Sequence, residues 1–150
     1  MTRAAVRSTS LALAALLAAC APAAGDRGVS PDAPLTDRMK VADAGAGRAV
    51  FRQCAACHTV NQGTGDHDGP NLYGVTRARV GHNSQRFGYT AALQAVGGMW
   101  TCARLDRWLT NPAAVVRGTS MRFPGLRDGL DRADVIAYLY ANGGGTPDCR

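Results

Sequence analysis

Five consecutive residues, Cys54-Ala55-Ala56-Cys57-His58, restrict this 150-residue chain more than any other feature in it. Cysteines three apart on a helical turn put both thiols on the same side, and the histidine that follows offers a ring nitrogen beside them. Two thiols so placed can add to the two vinyl groups of a haem while the histidine reaches the iron. Other uses fit less of the sequence. Structural zinc needs a second ligand pair, but Cys102 and Cys149 are far apart and His67 and His82 have no matching spacing. A thioredoxin-like pair follows a buried strand. Here Gly47, Val50, Phe51 and Cys54 instead recur at helical intervals behind Asp43, a natural N-cap. A plain disulfide between Cys54 and Cys57 leaves His58 without a task.

Composition agrees with a bound apolar group. Aromatic residues make up 6% of the chain and there are eighteen glycines, thin material for a packed interior. A large apolar cofactor supplies what the side chains lack. The length suits one domain with a leader and a tether. Of the seventeen basic residues, Arg3 and Arg7 lie in the leader, so fifteen remain against eleven acidic ones, a net charge of +4. That balance is mildly basic and almost wholly arginine, Lys40 being the one lysine. Nucleic-acid binders are more basic, with clustered charge, so no nucleic-acid partner is expected.

Residues 1–19 read as an export signal, with Arg3 and Arg7 ahead of an apolar run, Leu11 to Ala19, too short to span a bilayer. The run ends in Leu17-Ala18-Ala19-Cys20, which resembles the bacterial lipobox. That resemblance implies cleavage before Cys20 and lipidation of its thiol, anchoring the protein to a membrane without spanning it. The alternative is an ordinary soluble export signal cut at an Ala-X-Ala site. Residues 20–42, rich in Ala, Pro, Asp and Gly and without apolar periodicity, are expected to be a flexible tether. Residues 43–150 form the expected folded domain.

Over about Asp43 to Asn142 the chain resembles a class I cytochrome c of the mitochondrial and bacterial c2 type. The residues that carry the likeness are Gly47 and Phe51, the Cys54–His58 motif, Gly69-Pro70-Asn71-Leu72-Tyr73-Gly74, Phe87-Gly88-Tyr89-Thr90, Trp100, Leu109-Thr110-Asn111-Pro112, Gly118-Thr119-Ser120-Met121 and Asp134 to Leu139. The resemblance implies an all-α fold with long loops around one covalent haem c. It also implies ligation by His58 and Met121, with the Pro70 carbonyl accepting the second ring N–H of His58. A thioether is a soft, neutral donor that raises the potential of the iron. Tyr89 and Trp100 can donate to a buried propionate, which must be satisfied if it leaves water. Thr119 shares the methionine loop; where the family has Gly-Arg near a propionate this chain reads Thr76-Arg77-Ala78-Arg79, so Arg79, Arg77 or neither takes that role, Arg79 being the one favoured. The first and last helices are expected to cross, with Gly47 and Phe51 against Val135 and Tyr138, the last helix running from about Asp131 to Asn142.

Three departures stand out. Trp108 occupies the place of a tyrosine usually near the methionine, Arg117 replaces a proline, and Ser120 a lysine. The family's lysines around the haem edge are missing, and Arg52, Arg117, Arg122 and Arg127 are candidates to replace them. Cys102 and Cys149 are spare cysteines in an exported chain, for which a disulfide and two free thiols are the alternatives. The function expected is single-electron transport, not enzymatic turnover, between a reductase complex as donor and a terminal oxidase or other redox enzyme as acceptor. The expected location is the periplasmic side of a bacterial membrane. An electron-accepting subunit of a membrane redox enzyme is the alternative, and an open-site sensor or peroxidase a weaker one.

Overall fold

The structure, a computed structural model, describes residues 27–149. The expected leader and Cys20 lie outside the described residues. Six α-helices follow in order: α1 Leu35–Lys40, α2 Ala44–Phe51, α3 Ala91–Ala95, α4 Cys102–Thr110, α5 Pro112–Val115 and α6 Gly129–Leu139. Among the described residues there is no strand, only an isolated antiparallel bridge between Arg79 and Met99, so the fold is all-α as expected. No helix in this part of the chain is long and apolar enough to cross a membrane.

Side chains start most of these helices, because the first N–H groups of a helix have no partner within it. Asp43 accepts from the Ala46 N–H at 2.6 Å and Thr101 from the Arg104 N–H at 3.2 Å. Asn111 accepts from the Ala114 N–H at 3.0 Å, with Pro112 at the first position of α5. The last helix begins earlier than Asp131, because Asp128 caps it through the Leu130 and Asp131 N–H groups at 2.7 and 3.2 Å. Its regular part ends at Leu139, and a wider turn, Tyr140–Gly144, leads out through Gly143 at φ +93°.

The scaffold is the crossing of α2 and α6. A Cβ on Gly47 would collide with the Asp134 carbonyl, so glycine is what lets the two backbones touch. Phe51 and Tyr138 then pack with tilted rings, 5.2 Å between centres, and Val135 and Ile136 are 1% and 0% exposed. From α4, Leu105, Trp108 and Leu109 close the core at helical spacing.

The stretch expected to be a tether is folded from Arg27 to Ala42. It carries α1, and Met39 packs on the core. The Arg27 guanidinium makes two bonds to Asp134, at 2.6 and 2.7 Å, and the Asp43 N–H donates to the same carboxylate at 2.8 Å. Arg38 donates twice to Asp106 at 2.9 Å and once to the Gly129 carbonyl at 2.7 Å, while Arg132 reaches Asp106 at 2.8 Å. Forked arginine–carboxylate pairs are the strong kind, and Asp134 is 1% exposed. At the other end, a disulfide joins Cys102 to Cys149 with their Cα atoms 5.2 Å apart. Closing a sequence separation of 47 residues constrains the unfolded chain by about 4 kcal/mol on the chain-entropy account.

Candidate functional site

The end of α2 runs into a turn in which the Cys57 and His58 N–H groups donate to the Cys54 carbonyl at 3.0 and 2.9 Å. That turn brings Cys54, Cys57 and His58 to the wall of one cavity of about 410 Å³. Burial, reinforced by neighbouring Cys57, pushes the Cys54 thiol up to about 11. Burial also lowers the His58 pKa, with the Pro70 carbonyl working against it, so the ring is neutral near pH 7. Its Nδ1–H donates to the Pro70 carbonyl at 2.8 Å, which leaves Nε2 as the nitrogen with a free lone pair.

The loop after His58 is shaped to hold that ring. A Cβ on Gly69 would collide with the imidazole. The Gly69 N–H donates to the Cys57 carbonyl at 2.7 Å and the Leu72 N–H to the Thr59 carbonyl at 2.8 Å. Asn71 ties the loop through its side-chain amide to the Asn61 and Thr64 carbonyls at 3.0 and 2.8 Å.

Met121 lines the same cavity from the loop between α5 and α6, with Thr119 beside it. The Met121 N–H donates to the Thr119 hydroxyl at 3.2 Å, a bond that fixes the methionine backbone. Gly125, at φ +101°, sits where a Cβ would strike the Thr110 carbonyl, and the next residue, Leu126, donates its N–H to Leu109 at 2.7 Å. The other methionines in the described residues lie elsewhere, Met99 being 45% exposed and Met39 on α1.

Tyr89 and Trp100 also line the cavity. The Tyr89 hydroxyl accepts from the Ser84 N–H at 3.0 Å, and burial raises its pKa against that bond. Trp100 meets Trp108 edge-to-face at 5.5 Å, and both border the cavity. Arg79 is different: it is exposed and is not part of the cavity wall. Its backbone forms the isolated bridge with Met99. Neighbouring Arg77 is turned to the C-terminal tail, its Nε–H on the Gly144 carbonyl at 2.9 Å. Of the four arginines expected near the opening, Arg122 lines the cavity, while Arg52, Arg117 and Arg127 are exposed away from its wall.

Sequence reasoning missed a polar girdle. The Asn83 side-chain amide donates to the Asn71 carbonyl at 2.6 Å, and Asp66 accepts from the Asn71 N–H and the Ser84 hydroxyl, both at 2.7 Å. Short polar residues flanking Gly69-Pro70 are a turn signal, but their partners lie 5 to 18 positions away.

The donor set fits a haem. One largely apolar cavity is lined by an imidazole, a thioether and two thiols. Comparison with known proteins decides the matter, because the cytochrome c family model matches residues 44–142, the stretch that builds this cavity. The chain belongs to the cytochrome c family. Such proteins hold one haem c covalently through their cysteines, here Cys54 and Cys57, and are electron carriers, not enzymes. A cytochrome c homolog from Bradyrhizobium diazoefficiens is 36% identical over 115 residues, covering 77% of this chain and 62% of that protein's own length. Cytochrome c from Gossypium barbadense is 42% identical over 98 residues, 65% of this chain and 87% of that one. Among solved structures, cytochrome cH from Methylobacterium extorquens superimposes with a TM-score of 0.62 at 38% identity, over 66% of this chain and 98% of that one.

Proposed function

We propose that this cytochrome is a single-electron carrier in a periplasmic, membrane-associated chain, with His58 Nε2 and the Met121 sulfur as the two iron ligands. The observation that carries the reading is that His58 and Met121 line one cavity together with Cys54 and Cys57. When bound, haem supplies an iron that alternates between the ferric and ferrous states. The protein does the rest. The Pro70 carbonyl holds the His58 ring in one tautomer and makes its free nitrogen more basic. A neutral imidazole and a neutral thioether add no charge to a low-dielectric site, and the thioether favours the reduced state. Tyr89 and Trp100 stand as donors for a propionate. Apolar walls from Phe51, Leu105, Leu109 and Val135 keep water out.

The donor and acceptor in this reading are a reductase complex and a terminal oxidase or other redox enzyme. Lipid on Cys20 holds the protein at the membrane face. Reduced and oxidised spectra with a redox titration test the haem and its ligands together. Wild type should show low-spin spectra, a methionine–iron band when oxidised, and no change on adding carbon monoxide to the reduced form. Met121→Ala should lose the band, lower the potential and bind carbon monoxide. A wild-type protein that binds carbon monoxide would overturn the closed-site reading. For location, Cys20→Ala should move the protein from the membrane to the soluble fraction, and its retention in the membrane would overturn the lipid anchor.

A further inference from the structure

Five residues of the cavity wall are themselves exposed and mark where it opens to solvent: Gln53, Cys57, Asp68, Ser120 and Arg122. They belong to two lips. One is the histidine-side loop, and the other the methionine-side loop. From Gln53 to Thr76 the histidine-side sequence has no lysine or arginine and carries Asp66 and Asp68. From Arg107 to Arg127 the methionine-side sequence has no carboxylate and carries Arg117 and Arg122 between those ends. Asp68 and Arg122 both belong to the wall, and neither belongs to an ion pair among the described residues. Asp66 is held by Asn71 and Ser84, so the negative lip has a fixed inner carboxylate and an exposed outer one.

We propose that the opening is a bipolar docking surface, negative at Asp68 and positive at Arg122. The partner it fits is a redox protein with matching opposite charges, acidic where it meets the methionine lip and basic where it meets the histidine lip. This rests on the electron-carrier reading and goes further, because a ring of one sign would orient a partner only weakly about the opening. Two opposite lips fix rotation as well as approach, which is how complementary charge gives specificity. A partner that is uniformly acidic meets Asp68 as a like charge.

Small inorganic ions probe this without the natural partner. On the reduced, haem-loaded protein, paramagnetic hexacyanochromate(III), an anion, should broaden the backbone amide signals of residues 117–122. Hexaamminechromium(III), a cation, should broaden those of residues 66–69. Electron exchange gives a second reading. Hexacyanoferrate(III) takes one electron from the reduced protein, and hexaammineruthenium(II) gives one electron to the oxidised protein. At low ionic strength Arg122→Gln should slow the anionic reagent about two- to five-fold and speed the cationic one. Asp68→Asn should do the reverse, and both effects should vanish near 1 M salt. If the anion broadens both lips alike, or the two variants shift each reagent in the same direction, the bipolar surface is wrong. Failure of the protein to cycle between oxidation states with either reagent would instead strike the electron-carrier reading itself.

Discussion

The α2–α6 crossing and the methionine-side loop, residues 116–127, face the same cavity but are secured in different ways. At the crossing, backbone lies on backbone at Gly47 and a buried carboxylate, Asp134, takes three hydrogen bonds from the segment before α2. The loop is tied at its ends by the Val116 and Leu126 N–H groups, at 2.9 and 2.7 Å, and inside by single bonds such as that from Met121 to Thr119. Two of its residues, Gly118 and Gly125, have positive φ, conformations glycine adopts readily but whose freedom costs entropy on folding. The difference teaches that the thiols and histidine ride on the cooperative part of the molecule, while the methionine rides on a segment able to open by itself.

The strongest blow to the crossing is Gly47→Val, which forces α2 and α6 apart. We expect a loss of about 3 kcal/mol or more, with helical signal and methionine–iron band lost in one denaturant transition. Asp134→Ala strands the Arg27 guanidinium and the Asp43 N–H. Arg27 keeps 22% of its side chain exposed, so the cost should sit at the low end for a broken buried pair, about 3 kcal/mol. A loss below about 1 kcal/mol would show that the crossing stands without this fork.

Acid should weaken the scaffold before the loop. Burial pushes the Asp106 carboxyl up, but hydrogen bonds from Arg38 and Arg132 outweigh it and hold the pKa below the usual value. A depressed folded-state pKa gives stability that is present above the unfolded value, about 3.9, and lost as pH falls from there through the folded value. Stability of wild type should therefore drop below about pH 4, and Asp106→Asn should remove that part of the slope. An unchanged slope in the variant would assign acid sensitivity to other groups. The smallest effect belongs to the loop. Arg117→Pro should delay loss of the methionine–iron band by about 0.4–1 kcal/mol and leave global unfolding nearly unmoved. Equal shifts in both transitions would erase the distinction between loop and scaffold.

How legible these regions were in the sequence follows the same division. Cys54, Cys57 and His58 fall within five residues, so their chemistry reads directly from spacing, whereas Met121 came from the family resemblance and the structure places it on the same cavity wall. Helical periods marked the faces of α2 and α6, and the family resemblance supplied their crossing at Gly47, Phe51, Val135 and Tyr138. The folded segment before α2 was not. Its hold depends on Arg27 with Asp134 and Arg38 with Asp106, pairs 107 and 68 residues apart, and no local pattern announces such a match. Arg79 is a further case, since the Thr76-Arg77-Ala78-Arg79 pattern does not say which arginine faces the cavity, and neither lines it.

The Arg27–Asp134 fork also determines how the molecule carries load. A pull on the N-terminal end is delivered to the middle of α6, across two parallel bonds at once. Tension applied at Arg27 would therefore load the helix crossing before it reached Cys54 or His58.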